Sequence, residues 1–199
     1  REELTANGFK AGEAFHDHFR LVLPDLPNAY FVDGKANEEN YVYGSLKMSR
    51  MGHKGVSCLD CHNPHSHETI LPVEDNSLCM RCHATGLNEA TIVDPVTHSQ
   101  HPLESAGNQC VSCHMPTRLY MQRDARRDHG FTIPDPQLTI DYGVPNACQA
   151  CHGDKPVEWS RDAVESWFPN SERRQELRDR ARILDAYYNG DSESWKEVH

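Results

Sequence analysis

Four times along the chain, two cysteines stand with two residues between them and a histidine directly after: Cys58, Cys61 and His62; Cys79, Cys82 and His83; Cys110, Cys113 and His114; Cys148, Cys151 and His152. Thiols at this spacing can add to the two vinyl groups of one porphyrin while the adjoining imidazole binds the iron from below, the attachment chemistry of haem c. All eight cysteines belong to these pairs, so none is left for a disulfide or a free thiol. Four haems c are expected, with His62, His83, His114 and His152 as proximal iron ligands.

The rival chemistry is zinc. Seventeen residues separate Cys61 from Cys79, a spacing that also suits a four-thiolate zinc ribbon. Such a ribbon has no use for a histidine directly after the second cysteine, yet one stands there in four cases of four. With 13 histidines in 199 residues, chance would do this roughly once in fifty thousand trials.

Nine other histidines are candidates for the far faces of the irons: His16, His18, His53, His65, His67, His98, His101, His129 and His199. His65 follows His62 by three residues, beyond Pro64, and is tethered to the proximal side of the first haem. It can point outward to the second haem instead, so one short segment would serve two irons, with His67 as a spare. His101 precedes Cys110 by nine residues, a span of about 30 Å when extended, enough to round a ring edge and return to the far face of the third haem. His98 shares that loop, so one of the two is expected to bind the third haem and the other a neighbour, or one of them to stay free. His129 stands before Phe131 and Ile133 and is assigned to the first or the fourth haem. His18 adjoins an apolar face and can reach inward, with His16 on the opposite flank. Met48 and Met51 are sulfur donors near the first site, though methionines beside a haem more often pack on its ring.

The elements that must position these groups are short. Glu13 to Leu23 reads as a helix, with Phe15, Phe19 and Val22 on one face and Pro24 ending it. Tyr30 to Gly34 closes in an Asp-Gly turn, and the polar stretch from Lys35 to Asn40 is loop. Residues 84–109 are expected to be loop, broken by Gly86, Pro95, Pro102 and Gly107, and Gly143 to Asn146 sets a turn before the last site. Beyond it the pattern becomes helical. Val157, Ala163, Val164, Trp167 and Phe168 share a face, Ser171 opens a second helix marked by Leu177, Ala181, Leu184 and Tyr188, and Gly190 closes it. The fold class is therefore mainly α with little regular secondary structure, nucleated by haem, with C-terminal helices. A tetrahaem domain over 1–154 and a helical segment over 155–199 are expected.

Composition agrees. With 37% hydrophobic and 8% aromatic residues the chain is poorly supplied with core for its length, and haems would fill the deficit. The net charge of −10, deepened by haem propionates, argues against nucleic acid or an anionic membrane as partner. Lys47, Arg50 and Lys54 before the first motif, and Arg118, Arg123, Arg126 and Arg127 after the third, are placed to pair with propionates or with solvent. No apolar run approaches the roughly 20 residues of a membrane-spanning helix. The chain starts at Arg1, as a processed form or a fragment would, and haem c is attached outside the cytoplasm. A periplasmic or extracellular location follows, with a signal peptide removed.

With these residues laid out, the chain resembles the multihaem c-type cytochromes. The segment C-L-D-C-H-N-P-H-S followed by S-L-C-M-R-C-H is similar to their paired-motif module, in which the histidine matching His65 serves the neighbouring haem. A longer likeness runs through Y-F-V-D-G at 30–34, Y-V-Y-G-S at 41–45, H-S-Q-H at 98–101, C-V-S-C-H-M-P at 110–116, R-R-D-H-G-F-T-I-P at 126–134 and P-N-A-C-Q-A-C-H at 145–152. It resembles the cytochrome portion of large proteins with further haems before it and tetratricopeptide helical repeats after it. The resemblance implies histidine at positions 98, 101 and 129. The 199 residues correspond to that cytochrome portion alone, as expected of an independent tetrahaem cytochrome of this lineage or of a fragment.

Three functions follow as expectations. Irons with histidine on both faces exchange only electrons, at low potential, with redox proteins such as other multihaem cytochromes as partners. Nine candidates for four distal places weigh against the alternative, an enzyme of the nitrite or hydroxylamine type with one open iron. A filament subunit is the third, in which a spare histidine, His16, His53 or His199, ligates a haem in the next copy.

Overall fold

The structure is a computed structural model and describes residues 2–4, 8–21, 28–37, 41–66, 68–120 and 123–197. Among these residues lie eight α-helices, 46% helix in all, and two antiparallel sheets of two strands each. The first sheet pairs β1 (Glu2–Leu4) with β2 (Phe19–Leu21). The helix expected over Glu13 to Leu23 is thus corrected: one 3-10 turn, Phe15–Asp17, leads straight into a strand. A helix that short is marginal in water without a face to pack on, whereas Phe9 receives both the His18 and the Phe19 rings edge-on. Val22 and Pro24 lie outside the described residues, as do residues 38–40 of the expected polar loop.

The turn at Gly34 forms as read, with Gly34 N–H donating to Phe31 C=O at 2.9 Å and φ at +86°. After it come α1 (Val42–Met48), α2 (Arg50–His53), α3 (Ser77–His83), α4 (Pro95–Ser99) and α5 (Cys110–His114). The loop expected over 84–109 is corrected by α4, which starts where the Asp94 carboxylate accepts from Thr97 N–H at 2.9 Å and Pro95 takes the first helical position. Strands β3 (Thr117–Tyr120) and β4 (Asp124–Arg127) form a hairpin, anchored by Arg118, whose guanidinium lies 4.6 Å over the Phe31 ring and donates to Ala36 C=O.

Helix α6 (Pro136–Tyr142) ends at Gly143, with φ +68°; α7 (Val157–Trp167) and α8 (Glu172–Tyr188) follow. The Ser171 hydroxyl caps α8 at Arg174 N–H, the opening expected from the sequence. Val32, Leu138, Val144 and Ala181 make the buried core, with Phe31, Tyr142, Leu177, Leu184 and Tyr188 packed on it. An ion-pair web braces the helices. Arg178 donates to both carboxylate oxygens of buried Asp135 at 2.7 and 2.8 Å and to Glu165 at 2.6 Å, and Arg174 reaches Glu165 at 2.9 Å.

This core is small. The chain exposes 12655 Å², where a compact protein of 22.6 kDa exposes about 9,500 Å². Leu59, Ile92, Leu103 and Leu119 are each more than 60% exposed. Among the described residues no helix is long and apolar enough to cross a membrane.

Candidate haem-binding sites

Each motif sits in a helical turn, which places the first cysteine and the histidine, four residues apart, on one face. The first and last motifs lie in 3-10 turns, with His62 N–H donating to Cys58 C=O and His152 N–H to Cys148 C=O, both at 2.8 Å. The second and third lie in α3 and α5. Ser57 and Asp60 close a reciprocal cap around the first turn.

The motifs also touch one another. Arg81, between the second pair of thiols, donates to Asp60 C=O at 3.3 Å. Buried Asn76, one residue before α3, donates to Asn108 C=O at 3.0 Å and accepts from Cys110 N–H at 2.8 Å. The Cys79 and Cys110 thiols share a hydrogen bond that pulls Cys110 down to about 7 and pushes Cys79 well up. Burial, reinforced by the nearby Cys148, pushes the Cys113 thiol up to about 11.

The histidines meet in pairs across these turns. The rings of His62 and His129 face each other with centroids 6.2 Å apart and planes 29° apart. His114 faces His98 at 6.0 Å and 20°, and His152 faces His101 at 6.3 Å and 44°. An imidazole nitrogen binds a transition metal at about 2 Å and lies about 1.2 Å from its ring centre, so two rings on opposite sides of one iron put their centroids about 6.4 Å apart. The separations fit an iron between each pair.

Tautomers fit as well. Nδ1 of His83 meets Thr91 C=O at 2.8 Å, Nδ1 of His114 meets Thr132 C=O at 3.0 Å, Nδ1 of His129 meets Arg127 C=O at 2.9 Å, and Nδ1 of His101 meets Ser99 C=O. A carbonyl can only accept, so each of these rings carries its proton on Nδ1 and leaves Nε2 free as a ligand. Burial lowers the pKa of His98, His114 and His129, keeping them neutral. Gly107 is part of the same design, because a Cβ there would overlap the His101 ring.

Other sequence candidates stand apart from these pairs. His65 is exposed, with its backbone N–H bonded to Asn63 Oδ1 at 2.9 Å. His18 Nε2 lies 2.9 Å from the Glu13 carboxylate, and His16 and His53 are exposed. His67 and His199 lie outside the described residues. Met48 is exposed and Met51 half-buried. A cavity of about 480 Å³ is lined by Met80, Val96 and Leu103 with Glu74, Asp94 and Glu104, and no histidine lines it.

Sequence reasoning did not find the supporting groups. The carbonyls of Thr91 and Thr132 leave no residue-type signal. Trp159, whose ring lies 4.9 Å from that of His152, stands eight residues before Trp167 on the same helix, a spacing the sequence does display.

A sequence model of the class III cytochrome c family matches residues 29–133, which hold the first three motifs and His98, His101 and His129. No curated protein and no solved structure matches the chain.

Proposed function

The chain belongs to the class III cytochrome c family, and from that membership we propose an electron carrier with four haems c, each iron held by histidine on both faces. Proteins of this family bind haem c, serve in electron transfer and are typically periplasmic. Bound haem supplies a reversible ferric/ferrous couple. The chain's own residues fix each ring by two thioethers and hold imidazoles ready on either side. Thereby they deny substrate a place on the metal. The support is the facing of three histidine pairs: His62 with His129, His114 with His98, and His152 with His101. For the haem of Cys79 and Cys82, with His83 beneath it, His65 is the proposed sixth ligand, since Arg81 of that motif is hydrogen-bonded to the first. The carrier works in the periplasm or at the cell exterior, and the acidic chain suits a redox partner with a basic face, another multihaem cytochrome included.

The test is a haem count and electron paramagnetic resonance on the purified ferric protein. Four haems per chain and only low-spin signals are expected. A high-spin ferric signal would replace this reading, at the haem concerned, with an open iron of the nitrite or hydroxylamine type.

A further inference from the structure

Helix α7 carries no cysteine and no histidine, yet it lies against the last two sites at several points. The Trp159 ring packs on the His152 ring at 4.9 Å and 49°. Two turns further along, about 12 Å, Trp167 meets the His101 ring edge-on at 6.1 Å and 82°. The next residue, Phe168, lies 5.3 Å from the His98 ring. Between them, buried Ser160 hydrogen-bonds the Cys148 thiol and accepts from Gln149 Nε2 at 3.3 Å. One helix thus touches the thiol and both imidazoles of the fourth site, and one imidazole of the third.

The far side of α7 is pinned. Val164 is buried, Arg174 donates to the carbonyls of Val164 and Phe168 at 3.4 and 2.6 Å, and Glu165 is bound by both Arg174 and Arg178. Both α7 and the fourth motif lie beyond the residues that match the family.

We infer that Trp159 and Trp167 are positioning residues of the fourth haem site, holding the His152 and His101 imidazoles at fixed tilts. The inference rests on the bis-histidine reading above. Indole faces and edges restrict rotation of the rings they touch. The planes of His101 and His152 are 44° apart, against 29° and 20° in the other two pairs. The angle between axial imidazole planes governs the g values of a low-spin ferric haem, so the fourth haem has its own signal, and α7 sets it. Trp167 also opposes departure of His101 from the iron.

The experiment uses the intact holoprotein. His101→Met identifies the signal of the fourth haem. Trp159→Leu and Trp167→Leu are each expected to move that signal and leave the other three in place. Trp167→Leu should also speed carbon monoxide binding to the reduced fourth haem about tenfold, while Trp167→Phe, which keeps a ring there, recovers most of the wild-type rate. An unmoved fourth signal, or an equal shift of all four, overturns the inference. Fewer than four haems, or a high-spin fourth haem, in the wild-type protein instead overturns the bis-histidine reading beneath it.

Discussion

An imidazole serves an iron only if its free nitrogen points at the metal and nothing fills the space behind the ring. Position 107 controls the second condition for His101. Its backbone passes so close to the ring that only glycine leaves room, whereas the carbonyl of Ser99 fixes the tautomer from the other side. Gly107→Ala is therefore expected to push His101 off its line. One of four haems should turn partly high-spin in the visible spectrum and bind carbon monoxide at least tenfold faster, with far-UV circular dichroism unchanged. A low-spin Gly107→Ala protein with wild-type carbon monoxide kinetics would show that the ring tolerates displacement.

At the scale of elements, the strongest local constraint is the buried carboxylate at the start of α6. The Asp135 side chain is 1% exposed and Arg178 of α8 answers it with two hydrogen bonds. Removing that partner leaves a buried charge, which costs about 3–5 kcal/mol, so Arg178→Met should lower the unfolding midpoint in guanidinium while its slope stays the same. The hydrogen bond from Arg178 also depresses the Glu165 pKa. Its stabilisation is present above the ordinary carboxylate value of about 4.5 and is lost as pH falls through the depressed one; the variant should show a smaller acid-side loss in stability measured from pH 6 to 3, the remainder coming from Arg174, which also pairs with Glu165. Much of this architecture was readable in advance and some was misread for a definite reason. The attachment residues are contiguous, so the motifs needed no fold to be seen, and Ser171 and Gly190 mark α8 by local capping rules. Asp94-Pro95 and Asp135-Pro136 carry the same kind of signal, an acidic cap followed by proline at the first helical position. The first was taken as a loop breaker, and α6 was overlooked. The facing of His62 with His129 joins residues 67 positions apart, and no local pattern encodes such a meeting.

For the whole molecule the question is what makes these short elements one structure. The third site is the hub. It reaches the second through Asn76, which accepts from Cys110 N–H and donates to Asn108 C=O, the first through the strip from His129 to Thr132, and the fourth through His98 and His101 on one segment. Among the described residues, the buried apolar cluster of the polypeptide lies around α6 and α8. It exposes 12655 Å², about 3,000 Å² more than a closed chain of its mass. At about 25 cal/mol per Å² of apolar burial against 1–2 kcal/mol per ordered residue, a surface this open leaves the chain little net stability of its own. Made without haem attachment, the chain should therefore show weak helical signal, bind a hydrophobic dye and melt without a sharp transition, keeping mainly the helicity of α7 and α8. Serine at both thiols of one site should grade the loss, Cys110 and Cys113 costing more than Cys58 and Cys61, because the hub joins three neighbours. A sharp, native-like melt of the haem-free chain, or equal losses at the two sites, would place the fold's stability in the polypeptide instead.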